Sequence, residues 1–305
     1  MKKTMRRNLG FCEMGKFSFR PDISSALRWA DELLSQNQIE NHLSKAEWLL
    51  EYITGFERAQ LYLEKNDILK TAEAKKYSSL ILKASQGVPV QYLSGEVFFY
   101  GIKLAISRRV FIPRPETELL VEKALEVLKK KRNRAVVYDL CSGSGAISVA
   151  VGINSDNIVY GTDISKEAVK CGRLNAEKHN LKHRTIFYQG DFYKPLIENK
   201  VPDPDVIVSN PPYIAESNPE DADAFVIRYE PKCALWGGKD GTDFYHRIFR
   251  GAAGLIRKDG EILVEIGYNQ AQKVLKIAEE NGFKKAVIYK DYSGKDRILH
   301  VKTEG

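Results

Sequence analysis

From residue 134 onward, short apolar runs alternate with stretches of helical periodicity. Nothing else in the 305-residue chain limits its fold as strongly. Strands are expected at 135–140, 158–163, 185–189, 206–209, 261–266, 285–289 and 297–301, and helices at 145–153, 165–179, 244–256 and 270–281. Seven strands alternating with helices in this way predict an α/β fold: a doubly wound, Rossmann-like sheet with helices on both faces.

The strand at 206–209 ends abruptly. Val206, Ile207 and Val208 read as a buried parallel strand that runs straight into Asn210-Pro211-Pro212-Tyr213. Prolines have no N–H, so the ladder stops there, and Asn210 is held at the carboxyl end of a core strand. Open α/β sheets bind their ligands at that edge. Proline also fixes φ and so aims its carbonyl. An asparagine oxygen, a fixed carbonyl and an aromatic face together suit a flat, neutral amino or amide group. The competing reading is a rigid strand-exit turn with no chemistry, because Asn-Pro commonly opens turns.

A second loop points to a cofactor. The first strand of the alternation ends in Asp139-Leu140-Cys141-Ser142-Gly143-Ser144-Gly145 before a helix begins. Glycines at such a turn let the backbone pass close beneath a ligand. The next strand ends in Asp163, where an acid can accept hydrogen bonds from both ribose hydroxyls. The third is followed by Gly190-Asp191-Phe192, which supplies further lining positions. The dinucleotide fingerprint needs a third glycine, and Ser148 stands there instead. The shorter loop suits a nucleoside cofactor without a pyrophosphate. S-adenosylmethionine is the candidate, its sulfonium near Asp139. Glycines used only for tight packing are the alternative.

The first half of the chain divides differently. Residues 1–20 are read as a loose basic tail. They hold six basic residues against Glu13, or +5, of the net +7, which leaves +2 for the remaining 285 residues. A nucleic-acid binder would carry its surplus on a folded face. Residues 21–87 read as a small helical domain. Asp22 caps its first helix, Ser44 to Glu47 form a capping box opening the second, 58–63 makes a third, and 71–85 a fourth that Gly87 stops. Residues 88–112 read as a linker carrying a β-hairpin at 97–100 and 103–106, and 113–305 as the main domain. Thr117 is expected to cap a helix over 118–130. Arg114 to Thr117 form a stiff segment that can close over a site.

The four cysteines, Cys12, Cys141, Cys171 and Cys233, form no C-x-x-C pair, so neither a disulfide framework nor a zinc site is expected, and a reducing compartment fits. His179 and His183 lack a third ligand, and no metal is expected. No stretch approaches the roughly 20 apolar residues of a membrane span.

Together these residues resemble the class I S-adenosylmethionine methyltransferases, and most closely the HemK/PrmC family. The resemblance is carried by Asn210-Pro211-Pro212-Tyr213, by Pro89-Val90-Gln91-Tyr92-Leu93 with Gly95, and by the aromatic hairpin at Phe98-Phe99-Tyr100. Pro113-Arg114-Pro115-Glu116-Thr117-Glu118, Glu230-Pro231, Glu265-Ile266-Gly267 and Asp291 with Asp296-Arg297 add to it. It runs from about residue 22 to residue 301. Cys141 departs from it, standing where the family's loop often has glycine.

The resemblance implies methylation of the glutamine side-chain amide in the Gly-Gly-Gln loop of class 1 peptide chain release factors. Asn210, Pro211, Pro212 and Tyr213 would be catalytic and substrate-binding, with Arg114 also on the substrate. Asp139, Cys141, Ser142, Gly143, Ser144, Gly145, Asp163, Asp191, Phe192, Asn210 and Thr117 would bind S-adenosylmethionine. The helical domain would dock the release factor. A monomer in the bacterial cytoplasm is expected, though the basic N-terminus leaves an organelle open. Three rivals stand beside this reading: an adenine or cytosine methyltransferase acting on DNA or RNA, an NAD-linked oxidoreductase, and a partner-binding protein that has lost catalysis. The low charge of the body speaks against the first, the missing glycine against the second, and the intact loop residues against the third.

Overall fold

The computed structural model describes residues 20–131, 133–221 and 223–303. The expected loose tail lies outside them except for Arg20. The chain divides into two compact units at Gly95/Glu96.

The first unit is helical. Its helices are α1 (Ile23–Gln36), α2 (His42–Thr54), α3 (Arg58–Leu63), α4 (Thr71–Ala84) and α5 (Val90–Ser94). The Asp22 side chain accepts from Ser25 N–H at 2.6 Å and so caps α1 as its sequence predicts. The capping box at Ser44 does not form, because α2 starts earlier, after Asn41. Glu47, its expected partner, is buried and accepts instead from the Tyr62 hydroxyl and from Arg58 Nε at 2.9 Å. A buried carboxylate needs such partners more than an exposed helix end does. Leu34, Leu49, Leu50, Leu61, Tyr77 and Ile81 form the core of this unit.

The second unit begins with a hairpin of β1 (Glu96–Phe99) and β2 (Ile102–Ala105), followed by a 3₁₀ turn at Pro115–Thr117 and α6 (Glu118–Leu128). The alternation then runs β3 (Val136–Leu140), α7 (Ala146–Asn154), β4 (Ile158–Asp163), α8 (Lys166–Lys178) and β5 (Thr185–Gln189). It continues with α9 (Lys194–Glu198), β6 (Val206–Ser209), α10 (Ala224–Tyr229), α11 (Asp243–Ala252) and β7 (Glu261–Glu265). The unit ends with α12 (Ala271–Glu280), β8 (Lys285–Lys290) and β9 (Asp296–Lys302). The short helices α5, α9 and α10 had too few turns to show a period in the sequence.

Seven strands form one sheet in the order β5-β4-β3-β6-β7-β9-β8, parallel except for β9, which runs antiparallel to both its neighbours. β3, β6 and β7 are buried at every residue, which explains their unbroken apolar runs. Tyr138, Ile207 and Ile262 pack against Tyr245, Phe249 and Ile277 of α11 and α12, while α6 and α7 lie against the sheet on its other face. The strand order reverses between β3 and β6, and their carboxyl ends frame the crevice where such folds take ligands.

Candidate functional site

A cavity of about 640 Å³ opens at that crevice, within the range of small-molecule sites. The loop after β3 contributes Cys141, Ser142, Gly143 and Ser144 to its wall, and the end of β4 contributes Asp163. Asp191 and Phe192 follow β5, and Asn210 to Tyr213 follow β6. Arg114 and Thr117 complete the set from the proline-stiffened segment. Two expected site residues, Asp139 and Gly145, are not on the wall.

Asp139 lies beneath the loop, fully buried. Its Oδ2 accepts from Ser148 N–H at 3.1 Å and from the Ser148 hydroxyl, tying β3 to the first turn of α7. Burial pushes its carboxyl up to about 7, with the Ser148 bonds pulling back and Asp163 pushing further up. Gly145 has φ +75°, and a Cβ there would meet the Phe187 ring at 2.6 Å and Gly172 Cα at 3.0 Å. Close packing therefore accounts for this glycine. Gly143, at φ +55°, differs: a Cβ there would stand in open space on the cavity wall. Its N–H donates to Asp163 Oδ2 at 2.9 Å, and Ser165 N–H donates to Asp163 Oδ1 at 2.8 Å. Each carboxylate oxygen keeps acceptor capacity beyond that one bond. Burial raises the Asp163 carboxyl, and these two amides hold it down. Cys141 takes φ +59°, the conformation that makes glycine common at its position.

The residues fit a nucleoside cofactor. The bare Gly143 edge leaves room for close approach, Asp163 offers acceptors at the end of β4, and the buried Ser142 Oγ and Thr162 Oγ1 on the same wall have no hydrogen-bond partner among the described residues. Asp191 is held by Arg247, whose guanidinium lies 4.3 Å from the centre of the Phe192 ring.

Beyond the glycine loop the wall becomes a hydrogen-bonded chain. Thr117 is not the expected cap, since its side chain makes no bond to α6. Its hydroxyl donates to Glu265 Oε2 at 2.6 Å and accepts from Asn210 Nδ2 at 3.0 Å. The Tyr213 hydroxyl donates to Glu265 Oε1 at 3.3 Å. No described residue donates to Asn210 Oδ1 or to the Pro211 carbonyl. Arg114 is ion-paired with the buried Glu230, which also accepts from Ile112 N–H at 3.1 Å. Glu265 and Glu230 entered the sequence reading only through the resemblance. The one local signal for Glu265 was an acid following the apolar run Ile262 to Val264 in the strand next to β6.

Comparison with known proteins follows the same line. The family model "PrmC N-terminal domain" matches residues 25–95, and "Methyltransferase small domain" matches residues 116–228. A release factor glutamine methyltransferase of Thermodesulfovibrio yellowstonii is 36% identical over 86% of this chain and 93% of its own length. That of Bacillus subtilis is 38% identical over 91% of this chain and 96% of its own. A solved structure from Alicyclobacillus acidocaldarius, described as a release factor-specific protein-(glutamine-N5) methyltransferase, is 28% identical. It covers 64% of this chain and 95% of its own, at a TM-score of 0.39. Identity of this size over nearly the whole of both chains decides the matter: the protein belongs to the release factor glutamine methyltransferase family.

Proposed function

We propose that the chain transfers a methyl group from S-adenosylmethionine to the side-chain amide nitrogen of the glutamine in the Gly-Gly-Gln loop of class 1 release factors, in the bacterial cytoplasm. One observation carries the chemistry: Asn210 is anchored through its nitrogen, no described residue donates to its oxygen or to the Pro211 carbonyl, and both residues line the cavity. Two open acceptors on consecutive residues match in number the two N–H bonds of a primary amide.

An amide nitrogen is a poor nucleophile because its lone pair is shared with the carbonyl, the resonance that gives peptide rotation a barrier of ~18–20 kcal/mol. Asn210 Oδ1 and the Pro211 carbonyl accept the two N–H bonds and favour positive charge growing on nitrogen, which becomes acidic once methylated and then loses one of those protons to solvent. The Tyr213 ring stacks on the amide plane. Burial, chiefly, pushes the Tyr213 hydroxyl far above its usual range, so it stays protonated and is no base. Positioning can supply ~7–11 kcal/mol of the barrier in favourable cases. When bound, S-adenosylmethionine supplies an electrophilic methyl on a sulfonium centre. Gly143, Asp163 and Phe192 would hold it, and Asp139 would shape the loop from beneath. The helical unit would receive the release factor.

The test is transfer of label from radiolabelled S-adenosylmethionine to purified release factor, to its Gln-to-Ala form, and to DNA and RNA. Label on the factor that disappears with the alanine form is expected. Label on nucleic acid alone would overturn the reading in favour of an amino methyltransferase.

A further inference from the structure

We infer that Thr117 and Glu265 are positioning residues that set which way the Asn210 amide faces: the Glu265 carboxylate takes up the only proton of the Thr117 hydroxyl, so that hydroxyl can accept from Asn210 but cannot donate to it. The inference rests on the reading that Asn210 accepts from the substrate amide.

An asparagine side chain has two nearly equal faces. Rotation by 180° exchanges a carbonyl acceptor for an NH₂ donor with little change of shape. A site that receives a substrate N–H works with one face and repels with the other. A threonine hydroxyl alone cannot choose, because it both donates and accepts. Here the choice is made one residue further back. An ionised carboxylate only accepts, and the Thr117–Glu265 bond of 2.6 Å has the short length of an O–H···O⁻ bond. The Asn210–Thr117 bond, at 3.0 Å, is an ordinary one. Thr117 and Glu265 are 2% and 1% exposed, so water does not compete for either.

The fold brings the three together from separate places. Ser209 pairs with Val264 across β6 and β7, so Asn210 and Glu265 follow side by side at the ends of neighbouring core strands. Thr117 reaches them from the end of the 3₁₀ turn. The second oxygen of Glu265 holds the Tyr213 hydroxyl, so one carboxylate steadies both ends of the Asn-Pro-Pro-Tyr turn. The Tyr245 hydroxyl fixes the Glu265 backbone, donating to its carbonyl at 2.9 Å.

The same arrangement makes the amide sensitive to protons. A protonated Glu265 can itself donate to Thr117 and so release the threonine proton towards Asn210, which favours the wrong face. Burial raises the Glu265 carboxyl to about 7; Thr117, Arg297 and Tyr213 pull it down, and Glu116 pushes it up. Methyl transfer should therefore show an acid limb near neutrality that belongs to this carboxylate.

The test uses the full chain and its T117V, T117S and E265Q variants. Three readouts are taken: label transfer to release factor from pH 6 to 9, the dissociation constant of S-adenosylhomocysteine, and the nitrogen-15 signal of the Asn210 side-chain NH₂. T117V should lower kcat roughly 10–100-fold, the scale of a mispositioned group, with product affinity within roughly threefold of the parent. T117S keeps the hydroxyl and should recover most of that loss. E265Q should abolish the acid limb and the movement of the Asn210 signal with pH. T117V with unchanged kcat, T117S as poor as T117V, or product affinity falling in step with kcat would each overturn the inference. If the parent labels no release factor, it is the function proposed above that fails. The orientation is then judged on the Asn210 signal alone, and a signal that ignores pH in the parent, or still follows it in E265Q, sinks it.

Discussion

Arg114 and Glu230 stand 116 residues apart in sequence and form an ion pair whose acid is buried. The second Glu230 oxygen accepts from Ile112 N–H, so one side chain ties the proline-stiffened segment to the region that follows Asn-Pro-Pro-Tyr. The sequence suggested a substrate role for Arg114. The structure commits its charge to Glu230, although the residue still reaches the cavity wall.

Removing Glu230 should therefore act on stability first. E230A leaves the Ile112 N–H without its partner and a guanidinium without its acid, at a cost on the order of 2 kcal/mol. E230Q should lose less, since it keeps an acceptor. Urea unfolding of the three proteins measures this, and an unchanged midpoint for E230A would show that the tie carries no weight.

Asn210→Ala should separate catalysis from binding. Deleting one preorganised polar group aimed at developing charge typically lowers kcat by roughly 10²–10³-fold. Affinity for S-adenosylhomocysteine should change little. Calorimetric titration beside the label assay gives both numbers, and a parallel loss of both would contradict the role assigned to Asn210.

The two loop glycines should fail in different ways. G145A drives a methyl into Phe187 and the Gly172 backbone, and is expected to destabilise the fold by about 1–3 kcal/mol from overpacking alone. G143A meets open space and should lose only ~1–2 kcal/mol from its left-handed backbone, but it should weaken product binding much more. Melting curves with and without S-adenosylhomocysteine distinguish the two patterns. A G143A protein that binds normally would argue that the cavity wall is not the cofactor's bed.

Glu265 should link stability to pH. Its folded-state carboxyl, at about 7, lies above the ordinary carboxylate range, so the folded chain holds a proton that the unfolded chain releases. The parent should therefore lose stability as pH rises from about 4.5 to about 7 and then level off, by up to about 3 kcal/mol at 1.36 kcal/mol per unit. E265Q lacks this slope and retains that of Asp139, so the difference between parent and E265Q isolates Glu265. A constant difference between pH 5 and pH 8 would mean that the carboxylate does not titrate there. Conditions that favour the fold would thus oppose the proposed orientation of Asn210.

The central strands β3, β6 and β7 were legible because a strand buried on both faces reads as an apolar run, and the outer strands followed from the alternation with helices. Residues 158–163, 185–189 and 206–209 fall where the apolar runs put them. The cavity was half legible. Gly143, Asp163 and Asn210 announce themselves by residue type at the ends of strands. Thr117 misled because a threonine before a helix reads as a cap, whereas tertiary contacts to Asn210 and Glu265 claim its hydroxyl. Ser44 misled for another reason: α2 already starts after Asn41, and Glu47, the expected partner, is held by Tyr62 and Arg58. Asn175 gave no signal, since its use depends on which strand end lies beside α8.

That asparagine decides where the second unit can be divided. Its side chain accepts from Ala105 N–H at 2.7 Å and donates to the Ala105 and Ser144 carbonyls at 3.0 and 2.9 Å. One helical turn to either side, Cys171 Sγ meets the Ala105 carbonyl at 3.2 Å and His179 Nε2 donates to the Lys103 carbonyl at 3.0 Å. A helix face thus supplies the partners that another strand would give the edge of β2. A fragment starting at Pro113 would strip the backbone of β2 from a buried amide that also grips the glycine loop. The smallest piece able to keep that loop in shape starts at Glu96, with the hairpin as its first structural course rather than as packaging in front of it.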